Sequence, residues 1–342
     1  MPFHDCIGHH TSIALLQAAV RHKRLAHAYL FHGEEAIGKR LVATRLTQAL
    51  SCEYPPDADG FDSCGTCRSC RQIESHTHPD FVIIEPDPEQ ASRQIKIEQV
   101  REIEHQIMYR PLMAERKICL IDDADRMTIG AANALLKTLE EPPDHSLFLV
   151  ISSRPAALPS TIRSRCQSLR FTAPARTQVE AALILKREMS PDDARFLAII
   201  SEGRLGEALT IDMKDTRARQ QELINLVRPQ SLQSIESILS SAEAIAKAAR
   251  AEDILAWLAR WIRDLILIQV GGDRDQLLYL DDLRGLESYA QDANTDQLLD
   301  LLREIETTEQ RATRNLNLHM ALETILLRLR DALALTPTGA TA

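Results

Sequence analysis

AYLFHGEEAIGKR, residues 28–40, decides the fold. Residues 28–32 are a short apolar run of strand length, and a glycine-rich turn follows at once. The turn fits G-x-x-x-x-G-K, with Gly33, Gly38 and Lys39 at the required spacing. Residues 38–49 then carry a helical pattern. Strand, glycine loop and helix in that order make a phosphate cradle for ATP. The glycines allow backbone angles that turn N–H groups inward, and the helix N-terminus favours anions. Lys39 would reach the β and γ phosphates. A glycine turn beside a surface lysine is the plainer alternative, and the flanking strand and helix speak against it. Ser or Thr normally follows the lysine, because its hydroxyl ligates Mg²⁺. Here the residue is Arg40. A guanidinium has no acceptor, so it cannot hold a metal, although it can contact phosphate.

Outward from this stretch the alternation continues. Residues 81–85 (FVIIE) read as a second strand, and Ile97, Val100, Ile103 and Ile107 recur at helical spacing. Residues 117–122 (KICLID) are a third strand, and residues 131–141 a helix stopped by Pro142 and Pro143. Residues 147–152 (LFLVIS) and 167–171 complete five. Strands alternating with helices predict βαβ units, hence a parallel sheet with helices on both faces. The pattern ends near Thr172. The predicted boundaries are an α/β domain over 1–172, a small helical unit over 173–212, an all-α domain over 213–335 and a frayed tail over 336–342. In the all-α part, residues 251–270 form a long helix closed by Gly271 and Gly272. Leu255, Leu258, Ile262 and Leu265, with Trp257 and Trp261 on an adjoining stripe, offer an apolar face for assembly.

Three further clusters carry chemistry. The third strand ends in Asp122-Asp123-Ala124-Asp125. A carboxylate at the end of an apolar strand that shares a sheet with a phosphate loop organises Mg²⁺, and Asp122 fits that role. Asp125 reads as a cap on the helix after the strand. Cys52, Cys64, Cys67 and Cys70 have the spacing C-x11-C-x2-C-x2-C, which gives four thiolates to one structural Zn²⁺ in a knuckle over about residues 52–70. Two disulfides or a redox pair are the alternatives; His76 and His78 are spare donors nearby. Cys6, Cys119 and Cys166 read as ordinary thiols. Last, Ser164-Arg165-Cys166 follows the fourth strand. An arginine there can reach out of its own domain to a neighbour's phosphate, although alone it reads as a surface charge, with Arg163 equally cationic.

Composition limits the function classes. The chain has 342 residues, enough for two or three domains, with 44% apolar and 26% charged residues. A net charge of −9 argues against a protein that wraps DNA by charge alone. No secretory signal is visible at the start. The most apolar stretch, 265–270, is too short to span a bilayer, and Arg260, Arg263 and Asp264 precede it. A cytoplasmic setting is expected, which favours thiols or metal ligands over disulfides.

The glycine-lysine loop, the cysteine cluster, Asp122-Asp123, the stretch 133–143 (NALLKTLEEPP) and Ser164-Arg165-Cys166 occur in the order found in bacterial clamp-loader ATPases. Over roughly residues 8–171 the sequence resembles the AAA+ clamp-loader family of DNA polymerase III, and within it the δ′ branch. The resemblance implies a RecA-like AAA+ domain with an inserted zinc knuckle, a helical lid and a helical collar. It implies a heteropentameric ring with γ/τ and δ subunits that loads a sliding clamp onto primed DNA, with no membrane involved. It implies Arg165 as an arginine finger acting in trans on a γ/τ neighbour's ATP, and Ser153 at the first sensor position. Active members carry Glu where this chain has Asp123, one methylene shorter, and Arg where it has Gly206. With Arg40, these departures favour δ′ over an active γ/τ motor. A zinc-dependent nucleic-acid module is the reading from another class. Arg68 and Arg71 favour it, Asp57, Asp59 and Asp62 oppose it, and only Tyr54 and Phe61 are near enough to stack bases. Polymerase chemistry is not visible in this chain.

Overall fold

Successive side chains of a strand point to opposite faces of its sheet, and in the computed structural model both faces are covered. The structure describes residues 2–56, 62–87, 93–227, 229–232, 234–248, 251–279, 283–312 and 318–333; the predicted tail lies outside them. β1 (Ala28–His32), β2 (Phe81–Ile84), β3 (Lys117–Ile121), β4 (Ser146–Ser152) and β5 (Gln167–Arg170) form one parallel sheet in the order β2-β3-β4-β1-β5.

Alternation sorts the core into two layers. Tyr29, Phe31, Leu120, Leu149, Ile151 and Leu169 face one layer. There they meet Leu16 of α1 (His10–Arg21), Val42 and Leu46 of α2 (Lys39–Ser51) and Ile73 of α3 (Arg68–Glu74). Ala28, Leu30, Cys119, Ile121, Phe148 and Val150 face the other. That layer is closed by Val100 and Ile103 of α4 (Ile97–Ile107), Leu135 and Leu139 of α5 (Ile129–Glu140) and Ile162 of α6 (Ser160–Arg163). Covering both faces is why the strands read as unbroken apolar runs rather than as alternating ones. Each fully buried Leu, Ile or Phe contributes about 1.5–3 kcal/mol relative to exposure. α5 starts where the Thr128 hydroxyl accepts from Ala131 N–H (3.2 Å), and it stops just before Pro142.

After β5 come α7 (Arg176–Arg187), α8 (Pro191–Ile200) and α9 (Leu205–Thr210), packed on one another around Val179, Leu183, Leu197 and Ala208. They belong to the first of two compact units, Met1–Thr210; the second is Ile211–Ala342.

The second unit is helical among its described residues: α10 (Met213–Val227), α11 (Pro229–Leu232), α12 (Ile235–Ala248), α13 (Ala251–Gln269), α14 (Leu283–Asp292), α15 (Thr295–Ala312) and α16 (Leu318–Ala332). Leu255, Leu258, Ile262 and Leu265 of α13 are fully buried inside this unit, with Trp257 and Trp261 stacked beside them. The apolar stripe offered by the sequence for assembly is therefore consumed by the unit's own core. Asp264 is also fully buried. Its Oδ2 accepts the N–H groups of Leu278 (2.7 Å) and Tyr279 (3.1 Å), which ties the chain after α13 back onto the helix. Burial pushes its carboxyl up to about 6, against those two N–H groups.

Candidate functional site

The phosphate loop leaves β1 at Gly33 and enters α2 at Gly38. Gly33 has φ +150°, and a Cβ there would lie 2.2 Å from the carbonyl oxygen of Phe171, so no side chain fits. Lys39 is buried, and its Nζ donates to the carbonyls of Gly33 (2.8 Å) and Glu34. Burial holds its pKa below the ordinary lysine range, against the attraction of Asp122 and Asp123. Two loop carbonyls are held from outside the loop. Gly206 N–H of α9 donates to Ala36 O (2.9 Å), and His9 Nε2 lies 2.8 Å from Ile37 O. A carbonyl only accepts, so His9 carries its proton on Nε2. Burial lowers its pKa and favours that neutral form. Its ring meets Phe171 edge-on at 5.1 Å, and its Nδ1 has no partner among the described residues.

Arg40 does not stand free. Its Nη1 pairs with Glu85, just past β2, and with Asp122 Oδ2 (3.1 Å), just past β3. Burial opposes the charge, and the pairing with the two carboxylates outweighs burial and raises its pKa. Asp122, expected to face a metal, thus faces an arginine of its own chain. Asp123 has φ +47° and pairs with Arg126 at 3.5 Å. Burial, and the Asp122 charge after it, raises the Asp123 pKa.

Asp125 is not the helix cap expected of it; Thr128 caps α5 instead. Asp125 Oδ1 accepts from Ser152 Oγ (2.8 Å) and Ser153 N–H (3.2 Å), and its Oδ2 from Arg154 Nε (3.1 Å). It ties the end of β3 to the end of β4. Ser153, expected at the first sensor position, makes this contact through its backbone, and the buried hydroxyl belongs to Ser152.

Three residues of the site escaped the sequence reading: Glu85, His9 and, as a contact, Ala36. Glu85 had a usable signal, since FVIIE ends in an acid as KICLID does, and parallel pairing sets Ile84 beside Ile121. Gly206 was read only as a missing arginine. A Cβ there would lie 2.9 Å from Ala36 O, so the backbone of the phosphate loop occupies the room that a side chain would need.

The four cysteines of the knuckle converge. Cys52 follows α2, Cys67 caps α3 and Cys70 lies within it. All four Sγ atoms lie within 4.8 Å of one another. Backbone N–H groups point at sulfur: Cys64 to Cys52 (3.2 Å), Cys67 to Cys64 (3.3 Å) and Cys70 to Cys67 (3.4 Å). Such donors suit thiolates, so the set fits one tetrahedral metal ion. Burial works against a Cys64 thiolate, but the N–H groups of Thr66 and Cys67 outweigh it and bring the pKa to about 6. His78 is not in this set; its Nδ1 accepts from Asp80 N–H (3.1 Å). Phe61, Asp57 and Asp59, weighed for nucleic-acid contact, lie outside the described residues. Cys6 and Cys119 are buried thiols pushed up to about 12 and Cys166 to about 11, all by desolvation.

Arg165 sits between two anchors, Ile162 and Cys166, both buried in the layer under α5. The position after Arg165 is thus a packing site, which holds the arginine at the rim. Its Nη1 donates to Thr161 O (2.9 Å), and its Nη2 pairs with Glu140 at the end of α5 (2.6 Å). Arg163 is exposed; it follows the buried Ile162, but the residue after it, Ser164, is exposed.

A parallel sheet of this order, a glycine-lysine loop after β1, acids past β2 and β3 and a three-helix group touching the loop define a P-loop protein of the AAA+ kind. A family model described as DNA polymerase III, delta subunit, matches residues 8–175, and one described as DNA polymerase III, delta subunit, C terminal, matches residues 214–331. The chain is 31% identical to DNA polymerase III subunit delta′ of Escherichia coli (strain K12) over 256 residues, 73% of each chain. It is 29% identical to the Bacillus subtilis (strain 168) subunit delta′ over 322 residues, 93% of this chain and 94% of that one. Against E. coli subunit tau it is 34% identical over 214 residues, 61% of this chain and 32% of that one. The chain belongs to the δ′-subunit family of DNA polymerase III. Among the described residues no helix is long and apolar enough to cross a membrane.

Proposed function

We propose that this chain works as the δ′ subunit of a DNA polymerase III clamp loader, in a heteropentameric ring with γ/τ and δ subunits that loads the sliding clamp onto primed DNA. The observation that carries the reading is the pairing of Arg40 with Glu85 and Asp122. It fills a metal position with a fixed cation, which suits a subunit that does not turn over ATP and disfavours a γ/τ motor. Gly206 against Ala36 supports it, because that contact leaves no space for a second-sensor arginine. In this reading Arg165 completes a neighbour's ATP site in trans, residues 173–212 are the lid and residues 213–335 the collar. Cys52, Cys64, Cys67 and Cys70 hold one structural Zn²⁺, which would fasten the end of α2 to the start of α3. Gly33, Gly38, Lys39, Asp122, Asp123 and Ser153 are the remains of a nucleotide site.

Reconstitution with γ/τ, δ, clamp and primed DNA, with and without this chain, tests the proposal. Clamp loading that depends on the chain is the expected result. Loading that proceeds equally without it, or steady ATP turnover by the chain alone that Lys39→Ala abolishes, overturns the reading.

A further inference from the structure

Metal-dependent phosphate binding needs acids that hold the ion and a hydroxyl that completes its shell. Beside this loop the acids are present, and both pair with one nitrogen of Arg40. We propose that Arg40 takes the place of the divalent cation, so that the loop holds a nucleoside di- or triphosphate without Mg²⁺. The inference rests on reading residues 33–40 as a phosphate loop and goes beyond it by naming the counter-ion.

Three observations carry it. First, the cation is built in. Arg40 lies on the first turn of α2, directly after Lys39, and its guanidinium bridges the residues that follow β2 and β3. Mg²⁺ would need those same carboxylate oxygens at about 2.0–2.1 Å. It would also have to sit beside a charge that cannot be titrated away. Second, the backbone groups left over on the loop are mainly N–H donors. The carbonyls of Gly33, Glu34, Ala36 and Ile37 are taken by Lys39, Gly206 and His9. Among the described hydrogen bonds, none is donated by a backbone N–H of residues 34–40. A loop whose backbone carbonyls are mostly taken and whose backbone N–H groups are not favours an anion. Third, the guanidinium keeps capacity. Both described ion pairs use Nη1, and a guanidinium has five N–H donors in a planar fork that matches phosphate oxygens. Lys39 beside it is the second cation of the loop. Arg40 stands where the metal-ligating hydroxyl would be and Asp123 where the Glu base would be, so a bound nucleotide is held rather than hydrolysed.

Calorimetric titration of the full chain with ATP and with ADP, in excess Mg²⁺ and in EDTA, tests the proposal. Wild-type protein should bind both nucleotides, with affinities in the two buffers within about threefold. Lys39→Ala should lose binding in both. Arg40→Ser should turn the site metal-dependent, with ATP held at least about tenfold more tightly in Mg²⁺. Arg40→Lys, which keeps the charge, should stay indifferent to the metal. Without nucleotide, Mg²⁺ should raise the melting temperature of Arg40→Ser and leave wild type unchanged, because Glu85 and Asp122 then lack a cation. Wild-type binding that requires Mg²⁺, binding in neither buffer, or an Arg40→Ser variant blind to Mg²⁺ overturns the proposal. The clamp-loader reading is tested separately. Metal-independent binding by a chain that fails to support loading removes that reading alone, and normal loading by a chain that needs Mg²⁺ removes this one.

Discussion

Gly206→Ala should destabilise the first unit, against the ordinary preference of a helix. Gly206 is the second residue of α9, and helix propensity alone favours Ala over Gly by up to about 1 kcal/mol. Sterics oppose it. The added Cβ would lie 2.9 Å from Ala36 O, and it would also touch Ala36 Cβ at 3.5 Å. The obstructing atom is backbone, and it is held in place by the N–H of Gly206 itself (2.9 Å). Relief therefore requires the loop and α9 to separate by a few tenths of an ångström and to weaken the bond that joins them. Overpacking of this kind costs about 1–3 kcal/mol, so the net loss is about 1 kcal/mol or more. In a unit of this size that lowers the melting temperature by about 2–4 °C per kcal/mol. Gly130→Ala is the matched control. It too is helical, and its new Cβ would meet only Ile97 at 3.5 Å, an ordinary contact, so propensity should prevail and stability should hold or rise. Thermal melts of the three proteins decide the matter. If Gly206→Ala melts above wild type, as Gly130→Ala should, the close contact between α9 and the loop is wrong, and the account of why an arginine is missing there goes with it.

Cys70→Ser should lower metal content from about one zinc per chain to near zero and expose the remaining cysteines to alkylation; unchanged zinc by elemental analysis would exclude the four-thiolate site. In a reconstituted loader, Arg165→Ala should cut clamp- and DNA-stimulated ATP hydrolysis at the neighbouring site, where arginine fingers contribute about 10³–10⁵ in rate. Arg165→Lys should restore little and Arg163→Ala should match wild type; equal activity of both alanine variants refutes the role. Asp80 should make stability acid-sensitive. Burial opposes its charge, but the N–H groups of Ala114, Leu112 and Met113, at 2.7–2.9 Å, outweigh burial and depress its pKa. A depressed carboxylate contributes stability above its unfolded value of about 3.9 and loses it as pH falls through the folded value. Asp80→Asn should melt lower at neutral pH by the cost of at least one unpaired N–H, about 1–3 kcal/mol, and lose less on acidification. Parallel pH profiles for the two proteins would refute this.

The strands were legible because each is an apolar run bounded by a turn, and burial on both faces requires no other pattern. Their order was not legible. β4 enters the sheet between β3 and β1, and parallel pairing joins residues more than a hundred positions apart, such as Leu30 and Val150. The same distance explains the missing partners of the site. Gly33, Lys39 and the cysteines announce themselves by local spacing, which one turn of chain can fix. His9 reaches Ile37 across 28 positions and Arg40 reaches Asp122 across 82, and no local rule predicts either meeting. Asp125 was underread for a related reason. From sequence it is one more acid after a strand, but β4 brings Ser152 and Ser153 to it.

A phosphate loop that has lost its metal-binding hydroxyl still has a mechanical task in this chain. Its backbone touches three separate parts of the first unit. His9, at the start of α1, holds Ile37 O; Phe171, just past β5, presses on Gly33; and Gly206 of α9 holds Ala36 O. Phe171 joins the set twice, because His9 rests edge-on against its ring. Moving the loop would therefore strain the entrance, the sheet and the three-helix group together. Its carbonyls are fixed by the chain and its counter-ion is an arginine that no reaction removes. The position of α7–α9 against the sheet is then set by the chain's own residues rather than by a turnover cycle, which is what the trans role proposed for Arg165 requires.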